Sequence, residues 1–164
     1  MTSLSEGEPL PDFSMPTDDG GTVERSTLLG RTAVLYFYPK DNTSGCTTEA
    51  LAFRDSLPEF SAAGVTVIGV SADSIASHCK FKAKHGLTFP LASDTDAQFA
   101  KALGLWVEKS MYGRKYMGMD RSTLLVDAAG VVRRVWRKVK VPGHAAEVLR
   151  EAKSLSSETT HQIS

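Results

Sequence analysis

Residues 32–38 read T-A-V-L-Y-F-Y and residues 65–72 read V-T-V-I-G-V-S-A. Both runs are strand-length and rich in β-branched and aromatic side chains, and neither shows the apolar–polar alternation of a strand with one wet face. A strand that is apolar on both faces must be covered on both, and helices that follow such strands supply the cover. Two strands of this kind, each followed by a helical segment, predict an α/β sandwich around a central sheet.

The remaining segments fit that plan. Pro39 ends the first strand. From Ser44 the composition is helical, with Asn42, Thr43 and Ser44 as competent N-caps, and Pro58 is expected to kink or restart the helix near Ser56. A second helix follows the second strand, capped near Asp73 and closed by Gly86 after His85. D-D-G-G at 18–21, between Phe13-Ser14-Met15 and Thr22-Val23, predicts an N-terminal hairpin with an exposed tip. Phe89-Pro90-Leu91 reads as a short edge segment, 95–103 as a helix and 105–119 as an irregular stretch. Residues 122–127 and 131–136 pair as strands across A-A-G, making the sheet mixed, and 143–153 closes with a helix. No repeat or break in composition divides the chain, so residues 1–153 read as one domain and the polar residues 154–164 as a disordered tail.

Composition narrows function more than fold. A chain of 164 residues buries a full core without help from a metal or a disulfide framework. Nineteen basic and nineteen acidic side chains cancel, and the run R-R-V-W-R-K-V-K at 133–140 suits the solvated face of a strand, so nucleic-acid binding is not expected. No window approaches the length of a membrane span, and the opening MTSLSEGEPL lacks the basic and apolar regions of a signal peptide. Two cysteines are too few for a disulfide scaffold, which points to a reducing, cytoplasmic location.

One of them, Cys46, ends the stretch P-K-D-N-T-S-G-C and lies in or beside the first turn of a helix. Unpaired N–H groups and the positive end of the helix dipole stabilise a negative sulfur there, and the thiolate is the nucleophilic form. Gly45 leaves space for a small substrate, and Thr43 can turn its hydroxyl toward the same spot. The position equally suits an inert cysteine packed as a small hydrophobe.

The spacing of Pro39, Thr43 and Cys46, P-x-x-x-T-x-x-C, resembles the active-site signature of the peroxiredoxins. Residues 37–49, F-Y-P-K-D-N-T-S-G-C-T-T-E, resemble the peroxiredoxin Q subfamily, also called bacterioferritin comigratory proteins. The likeness continues in P-D-F-S-M at 11, S-A-D-S-I-A-S-H at 71, F-P-L-A-S-D at 89, R-S-T-L-L-V-D at 121 and V-W-R-K-V-K-V-P-G-H at 135. It implies a thioredoxin-like fold and a peroxidase that reduces hydrogen peroxide and organic hydroperoxides without a metal, haem or flavin. By the same likeness Cys46 is the peroxidatic thiol, oxidised to a sulfenic acid. Pro39 shields it, Thr43 hydrogen-bonds the peroxide, and Arg121 favours the thiolate and orients substrate. Glu49 matches an acid that holds such an arginine, and also suits an ordinary first-turn acid favoured by the dipole. Thioredoxin or another dithiol is the implied reductant, and a monomer the implied state.

Many members of the subfamily carry a resolving cysteine five residues after the first, where this chain has Leu51. The other thiol is Cys79, on the helix S-I-A-S-H-C-K-F-K-A-K-H. At about 100° per residue it lies opposite Phe81 and in line with Ile75, Ala76 and Ala83. If Phe81 marks the core, Cys79 faces outward and can react; if the Ile75 stripe does, Cys79 is filler and the enzyme works with one cysteine. Some members place the resolving cysteine on this helix, which implies an intramolecular disulfide to Cys46. Bridged cysteines need Cα atoms roughly 4.4–6.8 Å apart, so one of the two helices is expected to fray on oxidation.

Three other readings are weaker. A thioredoxin-type oxidoreductase needs C-x-x-C, and the first of those positions is Thr43. A metal-binding or redox-sensing module built on His78, Cys79 and His85 lacks a fourth ligand and a standard zinc spacing. Tyr112, Tyr116, Met117 and Met119, just before Arg121, suit a peroxide pocket, a subunit contact or plain packing.

Overall fold

The computed structural model describes residues 5–163, with side chains through Ser156. In chain order the elements are β1 (Ser14–Pro16), β2 (Thr22–Glu24), α1 (Arg25–Leu28), β3 (Thr32–Phe37), α2 (Ser44–Ala62), β4 (Val65–Ser71), α3 (Ile75–His85) and β5 (Leu91–Ser93). After a 3₁₀ turn at Thr95–Ala97 come α4 (Gln98–Ala102), β6 (Trp106–Met111), β7 (Arg114–Met119), β8 (Ser122–Val126), β9 (Val132–Trp136) and α5 (His144–Ile163). Five strands form the central sheet in the order β5-β4-β3-β8-β9. β3, β4 and β5 run parallel, while β8 and β9 are antiparallel to their neighbours.

Every residue of β3 is buried. Ala33, Leu35 and Phe37 face one core, with Met15, Leu28, Phe99 and Leu103 from the hairpin, α1, α4 and the turn after it. Val34, Tyr36 and Tyr38 face the other, with Phe53, Phe60, Phe81 and Val148 from α2, α3 and α5. Successive side chains point to opposite faces of a strand, so two covered faces remove any polar alternation from the sequence. Tyr36 stacks on Phe53 with ring centroids 4.5 Å apart. Gly69 of β4 stands in register with Tyr36, and a Cβ there would lie 2.9 Å from the tyrosine ring and from Leu91. The glycine that interrupts the second apolar run therefore makes room for that ring.

Several local expectations are corrected. α2 continues through Pro58 to Ala62 without restarting. Phe53 and Phe60 stand two turns apart on it, both fully buried, and burying both outweighs the one helical hydrogen bond that Pro58 cannot donate. α3 is capped by Ser74, whose side chain accepts from Ser77 N, because the Asp73 carboxylate is taken up by Asp41 N and the Ser71 hydroxyl. The helix expected over 95–103 is split by positive φ at Asp96 and Ala97. The buried Asp94 carboxylate then caps α4 by accepting from Phe99 N and Ala100 N, each at 2.9 Å.

Residues 106–119 are not irregular but form an antiparallel hairpin, β6 on β7, with Lys109 opposite Tyr116. It turns at Tyr112 and Gly113, both at positive φ. The N-terminal hairpin β1–β2 is present and exposed at its tip over Asp19, Gly20 and Gly21, while the half-buried Asp18 exchanges hydrogen bonds with Leu91, backbone N to carbonyl at 3.0 Å and Leu91 N to the Asp18 carboxylate at 2.9 Å. That contact covers the free edge of β5, which would otherwise present unpaired groups.

The chain past Lys153 is not a tail at its start. Leu155 is buried in the α2–α5 core, and the Ser156 hydroxyl donates to Ala63 O at 2.5 Å. The α5 backbone runs on to Ile163, while Ser164 and residues 1–4 lie outside the described residues. In the basic run, Arg133 pairs with Asp127, and Arg134 pairs with Glu151 and lies over the Trp136 ring at 4.7 Å. No helix among the described residues is long and apolar enough to cross a membrane.

Phe53 links α2 to the sheet beneath it. Replacing it with alanine is expected to destabilise the fold by about 3–5 kcal/mol, measured as a lowered midpoint in urea denaturation with native far-ultraviolet circular dichroism retained before the transition.

Candidate active site

β3 and β8 deliver the site together. Their ladder ends at Phe37 opposite Ser122, so Arg121 stands at the end of the sheet where the chain leaves β3 for α2. The turn between them is capped by Thr43, with φ −91° and ψ 156°. The first helical hydrogen bond runs from Thr47 N to Thr43 O at 2.8 Å, which leaves the N–H groups of Ser44, Gly45 and Cys46 ahead of the ladder. The Thr43 hydroxyl does not bond the helix. It donates to Lys40 O at 2.8 Å, keeping its lone pairs open as acceptors. Pro39 is half-buried beside this turn.

Cys46 is 1% exposed. Arg121 Nη2 lies 3.3 Å from its sulfur, and Arg121 Nη1 donates to Glu49 Oε1 at 2.7 Å. A Cβ on Gly45 would come within 3.2 Å of Arg121 Nη2, so this glycine keeps space for the guanidinium. Glu49 is no first-turn acid: it sits one turn further along α2, is 1% exposed, and its Oε2 has no hydrogen-bond partner. Burial pushes its carboxyl up to about 7, against the opposing pull of Arg121. Burial alone would lower the Arg121 pKa, but Glu49 and Cys46 outweigh it and hold the guanidinium charged.

Two of the family-like stretches meet behind the arginine. Thr123 and the buried His144 hydrogen-bond at 2.7 Å. Burial pushes the imidazole down to about 4, so it is neutral at pH 7, with Glu147 pulling it up and Arg121 down. Val139 N donates to Arg121 O at 2.9 Å, tying the loop after β9 to the arginine's backbone.

Phe81 is 2% exposed and Cys79 is exposed. Phe81 therefore marks the core side of α3, and Cys79 faces outward, its sulfur 3.5 Å from Asp18 O. Both thiols are free. Pro39, Thr43, Cys46, Glu49 and Arg121 gather at one end of the sheet, whereas Cys79 belongs to the outer face of a different helix. His78 points inward with both ring nitrogens engaged, Nδ1 at 2.7 Å from Asp41 Oδ2 and Nε2 at 2.9 Å from Ala92 O. Among the described residues no group of three or more His, Cys, Asp or Glu is arranged to hold a metal. Met119 is core, while Tyr112, Tyr116 and Met117 are exposed on the β6–β7 hairpin.

Sequence reasoning missed two residues. Asp41, inside the quoted stretch at 39–46, anchors a buried polar cluster; an acid in the turn a few residues past a buried strand is its only signal in the sequence. Lys109 runs its stem over Gly118, whose Cβ would lie 3.3 Å from Lys109 Cδ. Burial lowers its pKa, with Asp120 raising it, Arg121 lowering it and Cys46 raising it, so the hairpin adds a second cation to the electrostatics around the thiol.

Residues 7–135 match the AhpC/TSA family. The chain is 47% identical over 154 residues to peroxiredoxin Bcp of Bacillus subtilis, covering 94% of this chain and 98% of that one. It is 48% identical over 158 residues to peroxiredoxin Bcp of Xanthomonas campestris pv. campestris, with the same coverage. Among solved structures, a mutant of Xylella fastidiosa PrxQ superposes with a TM-score of 0.88 at 42% identity, over 94% of this chain and 98% of that one. The bacterioferritin comigratory protein of Xanthomonas campestris, solved to give insight into its alkyl peroxide reduction activity, superposes with a TM-score of 0.86 at 43% identity, over 93% and 99%. The fold is thus thioredoxin-like, and with a buried thiol held against an arginine at the signature position, the chain belongs to the AhpC/TSA family, in its Bcp and peroxiredoxin Q branch, and is a thiol peroxidase.

Proposed function

We propose that Cys46 is the peroxidatic thiol and that the enzyme reduces hydrogen peroxide and alkyl hydroperoxides. The observation that carries this is the guanidinium of Arg121, 3.3 Å from the buried sulfur and held on its other arm by Glu49. A fixed guanidinium favours the thiolate, and its fork can hold the oxygen on which negative charge develops. The alkyl class is supported by the likeness to the Xanthomonas protein.

The thiolate attacks the terminal peroxide oxygen; an S–O bond forms as the O–O bond breaks, and the departing oxygen takes a proton and leaves as alcohol or water. Cys46 becomes a sulfenic acid. Thr43, its own proton committed to Lys40 O, accepts the hydroperoxide O–H, and Pro39 shields the thiol. Cys79 then attacks the sulfenic sulfur, an S–S bond forms and water leaves. The outward face of α3 makes Cys79 accessible, and closing the bond needs the start of α2, or α3, to fray. An external dithiol, thioredoxin, returns both thiols, and the monomer is the working unit.

Coupled peroxidase assays test the assignment. Cys46→Ser is expected to abolish turnover, and Arg121→Met to lower the rate constant with peroxide by on the order of 10²-fold or more. Cys79→Ser should consume one equivalent and stall with thioredoxin as the reductant. Mass mapping after one equivalent of peroxide should show a Cys46–Cys79 link; a Cys79→Ser enzyme that turns over like wild type would mean a one-cysteine cycle instead.

Glu49 generates a pH prediction. Its folded carboxyl holds its proton to about 7, against an ordinary value of 4.5. Between those values the unfolded chain has released a proton that the folded chain keeps, so stability falls as pH rises through this window. Urea denaturation from pH 4.5 to 7.5 should show wild type losing up to about 3 kcal/mol relative to Glu49→Gln.

A further inference from the structure

We propose that Asp41 and His78 are positioning residues for the resolving step, a latch that couples the Cys46 loop to the turn of α3 bearing Cys79. This rests on the reading of Cys79 as the resolving thiol.

Asp41 lies five residues before Cys46, in the turn that leads into α2, and His78 immediately precedes Cys79. The His78 side chain is 0% exposed and that of Asp41 3%. The Asp41 carboxylate accepts from Tyr38 Oη at 2.5 Å on one oxygen, and on the other from Ser77 Oγ at 2.8 Å, with His78 Nδ1 at 2.7 Å. Its backbone N–H donates to Asp73 Oδ2 at 2.7 Å, one residue before the α3 cap. Burial would raise the Asp41 pKa, but the hydrogen bonds from His78, Tyr38 and Ser77 and the His78 charge bring it below the ordinary value, so the carboxylate is charged. His78 Nε2 reaches Ala92 O, which roots the cluster in β5.

Beyond Asp41 the loop and α3 part around a cavity of about 330 Å³ lined by Asn42, Ser74, Lys80, Phe81 and Lys84. Lys84 Nζ bridges it to Asn42 Oδ1 at a longer 3.3 Å. The loop thus has space to move, and Asp41 is its buried attachment to the helix. A second attachment holds α3 from the other side: Lys82 Nζ pairs with Asp18 Oδ2 at 2.7 Å, one turn from Cys79, and it involves the N-terminal hairpin rather than the loop.

Fraying of the first turn of α2 displaces residues 39–46. That displacement withdraws Asp41 from Ser77 and His78 and loosens the α3 turn in which Cys79 must move. Before oxidation the same contacts favour the closed loop and Cys46 in its pocket. Removing the latch shifts the population toward the open form. His78 touches neither Cys46 nor Arg121, and while the closed form remains the major one the peroxide step is spared.

Rapid-quench mass spectrometry that counts thiol, disulfide and sulfinic states separates the two steps. His78→Gln is expected to leave the rate of Cys46 oxidation within about twofold, speed disulfide closure about tenfold, and lower sulfinic acid formation per turnover in proportion. Ser77→Ala, which removes a single hydroxyl at the helix surface, should move both quantities in the same direction by about threefold. If wild type forms no Cys46–Cys79 disulfide, the resolving assignment has failed, and the coupling is read from amide hydrogen exchange of the reduced protein. His78→Gln should raise exchange in residues 39–46 and 75–85 together, whereas Lys82→Met should raise it in 75–85 and leave 39–46 unchanged. Equal changes in the oxidation and closure rates, or a rise in 75–85 alone for His78→Gln, would overturn the latch.

Discussion

The pairing of β3 with β8 is the constraint on which the site depends. β3 is buried on both faces, so a slip of one residue would turn Phe37 and Tyr36 into the wrong cores. That fixed register brings the start of β8, and Arg121 with it, to the end of β3. Cys46 is fixed independently, by the turn after Pro39 and by α2, which Phe53 and Phe60 pin to the sheet. A 3.3 Å contact between residues 75 apart in sequence therefore rests on two apolar packing surfaces rather than on the loops that carry it.

What was legible in the sequence follows from what is local. The buried strands, the closing hairpin β8–β9, the N-terminal hairpin and the cap of α2 each declare themselves within ten residues, and the resemblance supplied the long-range link from Cys46 to Arg121. The β6–β7 hairpin was not legible because both its faces are largely exposed, so no core imposes a period of two; the Tyr112-Gly113 turn was the available signal. Pro58 misled because a propensity rule acts on one hydrogen bond, whereas the helix answers to two phenylalanines. The orientation of Cys79 stays open in the sequence, since the wheel alone does not say which stripe meets the sheet.

The buried carboxylates show how a fold gives the same chemical group different duties. Asp41 accepts from a tyrosine and a serine and faces a histidine, and sits below its ordinary pKa. Glu49 has one arginine and an oxygen with no partner, and is pushed up to about 7. Neither outcome can be read from residue type, because the balance between desolvation and hydrogen bonding is set by elements distant in sequence.

That difference bears on the charge around the sulfur. Arg121 faces Cys46 on one arm and Glu49 on the other. In the proposed cycle the thiolate is the arginine's counter-charge before oxidation, and a protonated Glu49 leaves the group of three neutral. Once the sulfur is a neutral sulfenic acid, the guanidinium has lost that counter-charge, and its field then favours ionised Glu49. A carboxyl poised near 7 can follow the sulfur's charge in either direction, which one held far below neutrality could not do.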